Sequence, residues 1–312
     1  MSGIAQYGAA LDALYQNFTT AFEDGLSGLQ GKFNKPWWGG VAMEVPSMTD
    51  TEVHTWIQQV PGVREWAGDR VFNAISEVGY ALRNRDFEDT VQVDRNRLDD
   101  RKVGAEVPLM RALGYAFSKF PDRAIAEELL VGYASRTCYD GLTFFNDAHP
   151  VDVLDASKGT FDNLLALALT AANFDTAYAA MAAYKNADNK VMGIVPDTLI
   201  VPPQLRTTAH LIAHAAFVPS TAGTATQSNP NEGVVDVLVL PELASEATTW
   251  YLACLKSPFK PLIYQNRKAP VLEMLFGPDS EHAKKTKKIV FGADCRAAFG
   301  YTLPQLMIRS TG

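Results

Sequence analysis

Residues 83–102, RNRDFEDTVQVDRNRLDDRK, carry six basic and six acidic side chains among twenty. A stretch like this cannot sink into an ordinary core, because each unpaired buried charge carries a large desolvation cost. It must lie on a surface, facing either water or another chain. Val78, Tyr80 and Leu82 alternate with other residues, as do Phe87, Val91 and Val93. A period of two predicts two strands. The polar stretch Arg83–Asp86 between them predicts a hairpin tip. Two strands of about ten residues would project roughly 30 Å at ~3.3 Å per residue. The balanced signs avoid self-repulsion. Two readings stand side by side: a solvated hairpin, or a projection whose charges pair with a neighbouring subunit. The second singles out Arg83, Arg85, Asp86, Glu88, Asp94, Arg95, Asp99 and Asp100 as candidate inter-subunit contacts.

Around this segment the pattern is that of a folded protein. Leu11, Leu14, Tyr15, Phe18, Phe22 and Leu26 fall at helical spacing, with Gly25, Gly28 and Gly31 ending the run. This predicts one amphipathic helix in an N-terminal arm, packed on its own core or on a neighbour. Pro108 suits the first turn of a second helix whose buried face is Leu109, Leu113, Ala116, Phe117 and Phe120. Pro121 should break or kink that helix, with Asp122 capping a continuation through Ile125, Leu129 and Leu130. Together the pieces predict a spine of about 25 residues, near 38 Å at ~1.5 Å per residue.

Residues 151–262 read as a compact α/β unit. Asn173 is the expected cap of a helix with Phe174, Ala177, Tyr178, Met181 and Tyr184 inward. Thr198–Val201 is a strand ended by Pro202-Pro203, and Arg206–Phe217 a helix. Residues 221–233 form a polar exposed loop, Val234–Leu240 a buried strand, and Glu246–Leu255 a helix. Further strands are expected at Val271–Leu275, Lys288–Phe291 and Gln305–Ile308, and no internal repeat is apparent.

The net charge of −7 over 312 residues argues against a dedicated nucleic-acid binder. Three scattered cysteines, Cys138, Cys254 and Cys295, read as buried free thiols of a reducing compartment. The longest apolar run, near Leu164–Ala172, is about half a membrane span. The first residues show neither a basic n-region nor an apolar block, which predicts a soluble protein made in the cytoplasm.

Chemistry is hard to find. The sequence contains no dinucleotide or P-loop glycine motif and no Gly-x-Ser-x-Gly elbow. His210 and His214 stand at i, i+4, a chelating spacing, but Leu211 occupies the place where a zincin carries its glutamate base. Asn146–Pro150 reads as a turn closed by side-chain bonds to its own backbone. Lys284, Lys285, Lys287 and Lys288 make a short basic cluster, read as a solvated turn or an inward patch touching nucleic acid. No catalytic, cofactor-binding or metal residue is assigned, and an arm and a projecting charged hairpin beside no credible active site favour a structural or assembly role over an enzyme.

Several motifs in order resemble one family. They begin with Pro61-Gly62-Val63-Arg64-Glu65-Trp66 and Gly68-Asp69-Arg70. Asn84-Arg85-Asp86-Phe87-Glu88 with Thr90 follows, then Val93-Asp94-Arg95 with Leu98-Asp99-Asp100. Next come Tyr139-Asp140-Gly141, Phe144-Phe145 and His149-Pro150, then Val201-Pro202-Pro203 with Leu205. Gln265-Asn266-Arg267-Lys268-Ala269-Pro270 and Ser310-Thr311-Gly312 complete the series. The set resembles the gpT family, the major head subunits of Mu-like bacteriophages, across residues 61–312; residues 1–60 match loosely.

The resemblance implies an α+β, Hong Kong 97-type capsid fold. Its parts would be an N-terminal arm (1–36), a peripheral domain beginning at 37–66, and an extended loop (67–103). The peripheral domain would continue with the spine helix in 104–150. An axial domain (151–262), returning peripheral strands (263–299) and a C-terminal strand rejoining the axial domain (300–312) complete the chain. The implied function is self-assembly into hexamers and pentamers of an icosahedral head enclosing double-stranded DNA. Implied partners are further copies, a scaffold or protease, a portal and decoration proteins, with no cofactor and no membrane. The implied place is the virion shell, after synthesis in the host cytoplasm. Residues 67–101 contain no lysine, so covalent Lys–Asn cross-linking through that loop is not expected. The rivals are an encapsulin-like cellular compartment and a metal-dependent hydrolase using His210 and His214.

Overall fold

The computed structural model describes residues 2–27, 36–55, 79–94, 106–219, 226–277 and 280–312. In chain order the elements begin α1 (Ser2–Leu26), α2 (Trp38–Val41), β1 (Ala42–Pro46), β2 (Thr51–His54), β3 (Tyr80–Arg83) and β4 (Arg85–Asp94). There follow α3 (Val107–Val131), β5 (His149–Pro150), β6 (Thr160–Phe161), β7 (Leu164–Leu165), α4 (Ala171–Ala182), β8 (Thr198–Val201) and α5 (Arg206–His214). The remainder are β9 (Phe217–Pro219), β10 (Thr226–Ser228), β11 (Asp236–Val239), β12 (Thr249–Ala253), β13 (Leu262–Phe276), α6 (Glu281–Thr286), β14 (Lys288–Tyr301) and β15 (Met307–Thr311).

One sheet has the order β1-β13-β14-β4. Its centre is the long antiparallel pair β13–β14, with β1 parallel to β13 and β4 antiparallel to β14. Helices α1 and α3 pack together on it. Leu14, Phe18, Ala21 and Phe22 of α1 are buried against Met110, Leu113 and Phe117 of α3 and Phe291 of β14. The two helix backbones touch: a Cβ added to Gly114 would lie 2.0 Å from the Phe22 carbonyl oxygen. The apolar stripe of α1 is therefore covered by its own chain.

The 25-residue α3 runs unbroken through Pro121, contrary to the expected break. Proline removes only one backbone donor, and the buried packing of Phe117, Ile125 and Leu129 on either side outweighs that loss. Asp122 does not cap a new helix. Its Oδ1 accepts the amides of Trp37 (2.9 Å) and Trp38 (2.8 Å), and its Oδ2 accepts Lys119 Nζ (2.8 Å), so it anchors the chain entering α2.

The second sheet has the order β11-β8-β12-β15-β7. All residues of β8 and β12 are buried, which explains their continuous apolar runs. Residues expected as a helix at Glu246–Leu255 instead contain β12. Thr249, Trp250 and Tyr251 suit a strand, and pairing with β8 on one side and β15 on the other outweighs the flanking helix formers. Thr170, not Asn173, caps α4, its Oγ1 accepting Asn173 N–H at 3.2 Å. Helix α5 stops at His214, and Phe217 instead stands exposed in β9, which pairs with β10 inside the expected loop.

The expected hairpin is not formed by the strands that predicted it. β3 pairs with β2, Thr51 opposite Arg83 and His54 opposite Tyr80. β4 pairs with β14, from Lys288 opposite Asp94 to Ala297 opposite Arg85. Arg83–Asp86 is thus a crossing from one sheet to another, not a tip. The excursion begins and ends at β2 and β3; residues 56–78 between them, and 95–105, lie outside the described residues.

Candidate assembly surface

The root of that excursion is a buried polar knot. Gln265 donates through Nε2 to Leu82 O (3.2 Å) and to Asn84 Oδ1 (2.8 Å). Asn84 in turn donates through Nδ2 to Ser47 Oγ (2.8 Å) and Thr49 O (2.9 Å). His54 Nε2 lies 3.0 Å from Gln265 Oε1. Because the Gln265 amide nitrogen is the donor in its other bonds, Oε1 accepts and His54 Nε2 carries the hydrogen. Glu52 closes the tight turn above: one carboxylate oxygen accepts Met48 N–H (2.7 Å), Thr49 N–H (2.9 Å) and Ser47 Oγ–H (3.1 Å). The bond from Met48, followed by that from Thr49, holds the Glu52 carboxyl down to about 2.

Charges ring this root. Asp50 receives Arg83 Nε at 3.4 Å and is bonded by Arg296 of β14. Arg296 Nε also lies 3.2 Å from Asp86 Oδ1, within ion-pair reach though not aligned as a hydrogen bond. Lys268 and Asp294 pair across β13 and β14 at 2.7 Å. Exposed pairs of this kind each contribute only about 0–1 kcal/mol. They bias the geometry of the root rather than create it.

Beyond the root, β4 is the outer strand of its sheet, and a groove of about 580 Å³ separates it from α3. Phe87, Phe117 and Phe120 line its apolar part, and Arg85, Glu88 and Arg123 line its charged part. Phe87 and Phe120 meet with their rings tilted by 51° and centroids 4.4 Å apart, and the Arg85 guanidinium sits 5.5 Å above Phe87.

The eight charged residues singled out in the sequence divide accordingly. Arg83 and Asp86 engage partners of their own chain at the root. Arg85 and Glu88 face the groove, and Glu88 accepts Thr90 Oγ1 at 2.8 Å. Asp94 ends β4 opposite Lys288. Arg95, Asp99 and Asp100 lie outside the described residues. Sequence reasoning missed the knot residues Asn84, Gln265 and Ser47; a polar residue wedged between two strand patterns, as Asn84 is, was the available signal.

The other marked residues are elsewhere. His210 and His214 are exposed on α5 with ring centroids 5.4 Å apart, and no third metal-ligating side chain joins them among the described residues. The lysine cluster spans the exposed end of α6, where Lys285 pairs with Glu281 at 2.5 Å, and the start of β14. The turn at 146–150 forms, Asn146 Oδ1 accepting Ala148 N–H at 3.0 Å, yet His149 within it is fully buried against Asp140. The three cysteines are buried and unpaired. No described helix is long and apolar enough to cross a membrane.

Comparison with known proteins fits this architecture. The Mu-like prophage major head subunit gpT family matches residues 11–166, 165–243 and 242–312. The chain belongs to that family. The FluMu major head subunit of Haemophilus influenzae is 26% identical over 294 residues, 94% of this chain and 70% of that protein. The major capsid protein of Escherichia phage Mu is 24% identical over 304 residues, 97% and 74% respectively. Among solved structures, the procapsid of bacteriophage JBD30 aligns with TM-score 0.62 and 25% identity over 97% of this chain and 75% of that one. The holo-SrpI encapsulin of Synechococcus elongatus shares the fold alone, at TM-score 0.52 and 10% identity over 88% and 86%. This head subunit is a major capsid protein with the α+β Hong Kong 97-type fold. The family reading is thus better supported than the encapsulin rival.

Proposed function

We propose that the head subunit builds an icosahedral shell of hexamers and pentamers around double-stranded DNA, as a building block without catalytic activity. In this reading the four-stranded sheet with α1 and α3 is the peripheral domain, and the five-stranded sheet unit is the axial domain. The extended loop expected over 67–103 is assigned to the parts of that span outside β3 and β4, which themselves belong to the sheets. The observation that carries the proposal is the groove beside β4. It combines a strand with no further strand beside it among the described residues, a phenylalanine floor and a rim of both charge signs, as a neighbouring copy would need. Arg85, Asp86 and Glu88, which line the groove, are assigned to that contact, with Arg83, Asp94, Arg95, Asp99 and Asp100 as further contacts of the same charged run. Scaffold or protease, portal and decoration proteins would act on the shell so formed, and synthesis would take place in the host cytoplasm. Arg85→Glu tests the assignment. The soluble variant should keep its stability within about 0.5 kcal/mol, as surface changes do, while particle yield in sedimentation and negative-stain images collapses. Normal particles from this variant would return the rim to a solvated surface.

A further inference from the structure

Three metal-ligating side chains converge in the segment that follows α3, and the assembly surface does not use them. Cys138 and Asp140 lie in the loop after α3, and His149 opens β5. Their ligating atoms fall within 4.8 Å of one another, and no other set of three does so among the described residues. Cys138 is buried, and the side chains of Asp140 and His149 have no exposure. Asp140 faces its two neighbours with different oxygens. Its Oδ1 accepts Cys138 Sγ–H at 3.0 Å, and its Oδ2 lies 2.6 Å from His149 Nδ1. Three side chains therefore present four donor atoms around one small space: a sulfur, a ring nitrogen and both carboxylate oxygens.

Their surroundings orient this set as metal ligands are oriented. His149 Nε2 lies 3.1 Å from Phe144 O. A carbonyl oxygen only accepts, so Nε2 carries the ring hydrogen, and Nδ1 of the neutral ring keeps its lone pair for a cation. Metal-bound histidines are held in this way, the far nitrogen donating to a carbonyl or a carboxylate. Phe144 O also accepts Asn163 Nδ2 at 2.9 Å, and Phe161 stacks on the ring at 5.1 Å, so the ring is held from two sides. Leu142 N–H donates to Asp140 Oδ1 at 3.0 Å and fixes the carboxylate.

Charge and ligand type select the ion. A thiolate and a carboxylate bring two negative charges, and a neutral imidazole brings none. One divalent cation cancels them, so the loaded site buries no net charge, as a fully buried ionic set requires. Sulfur and imidazole ligands disfavour magnesium and calcium, which take oxygen, and suit zinc. We propose that Cys138, Asp140 and His149 form a structural zinc site, with Asp140 binding through one or both oxygens. Loading releases one proton to solvent: the Cys138 S–H bond breaks, a sulfur–zinc bond forms, and no oxidation state changes. The spacings of 3.0 Å and 2.6 Å are those of hydrogen bonds, and zinc bonds of about 2.0–2.3 Å would widen each contact by roughly 0.6 Å. Small side-chain rotations supply such a shift. The ligands fall within residues 138–149, so the ion can be captured before the sheets close over it. Once bound, it locks the loop after α3 to β5, whose partner β6 leads directly into β7 of the five-stranded sheet.

The experiment uses the full chain, produced in medium supplemented with zinc or with cobalt(II) and freed of loose metal by gel filtration. Plasma mass spectrometry should find close to one zinc per chain. Cys138→Ala removes one sulfur and one hydrogen bond, so it should fold, but it should retain essentially no zinc. His210→Ala combined with His214→Ala removes the exposed histidine pair and should keep the wild-type zinc content. The cobalt form of the wild type should show a sulfur-to-cobalt charge-transfer band in the near ultraviolet. That band should survive Cys254→Ala and Cys295→Ala. The zinc-loaded chain should melt at least about 3 °C above the same chain made in zinc-depleted medium. A wild-type chain without stoichiometric zinc overturns the proposal, as does zinc that Cys138→Ala retains; the three side chains are then a hydrogen-bonded cluster only. If Cys138→Ala does not fold, the cobalt band decides: its absence, or its loss with Cys254→Ala or Cys295→Ala, overturns the assignment.

Discussion

The two large sheets of the head subunit solve opposite problems. In the five-stranded sheet, β8 and β12 are buried on both faces, and Trp250, Tyr251, Leu199 and Ile200 have no exposure. In the four-stranded sheet, β4 shows the alternation of a half-exposed strand and leaves one long side without a partner strand among the described residues. The strands β8 and β12 are all core, whereas β4, at the edge of a sheet whose β14 is itself buried, is mostly surface. The contrast implies that substitutions in β8 or β12 should unfold the subunit, and those on the exposed face of β4 should leave it folded but change what it can join.

The sharpest break is Trp250→Ala. Its indole is fully buried and donates through Nε1 to Leu167 O at 2.8 Å. Denaturant unfolding should show a loss of about 3–5 kcal/mol; a loss below about 1 kcal/mol would mean that β12 contributes little to stability. An intermediate effect is expected at the root of the excursion. Asn84→Ala removes two donated bonds and leaves the Gln265 amide short of an acceptor, for an expected cost of about 1–3 kcal/mol. The smallest effect belongs to Glu52. Its carboxyl is depressed in the fold, so its contribution is complete above its ordinary value of 4.5 and disappears as pH falls towards about 2. Glu52→Gln should therefore flatten the acid limb of the melting curve in that window and change nothing near neutrality. A wild-type acid limb in the variant would remove Glu52 from the root.

Local chemistry in the sequence was enough to place much of this architecture. The run Thr198–Val201 has only one way to be buried on both faces, and it is a strand at those residues. The stripe Leu14, Phe18, Phe22 marks the buried face of α1, and the 25-residue length of α3 matches the expected spine. The assembly surface was legible only in its charges. Nothing near Phe87 states that its strand pairs with Cys295, some two hundred residues away, so two neighbouring strand patterns were joined into one hairpin. Nothing near Asp122 states that its carboxylate is taken by the amides of Trp37 and Trp38, so it was read as a local cap. His149 looked like a turn residue because its partner Asp140 lies across a loop whose closure depends on Asn163 and on β15. The same limit explains Glu246–Leu255: strand pairing from both sides overrode the local tendency.

One position in the sheet order bears on synthesis in the cell. β15 lies between β12 and β7, so the five-stranded layer is discontinuous until residues 307–311 have been made. About 60 residues separate the end of β12 from the end of β15. At roughly 5–20 residues per second, the ribosome needs roughly 3–12 s to cover that distance. During this interval the edges of β12 and β7 that β15 will bridge are open, which is when a nascent chain is most exposed to chaperone capture and to pairing with another nascent chain. Closure by a late strand also delays the appearance of a finished subunit until translation has passed residue 311, which separates in time the folding of each copy from its encounter with the next.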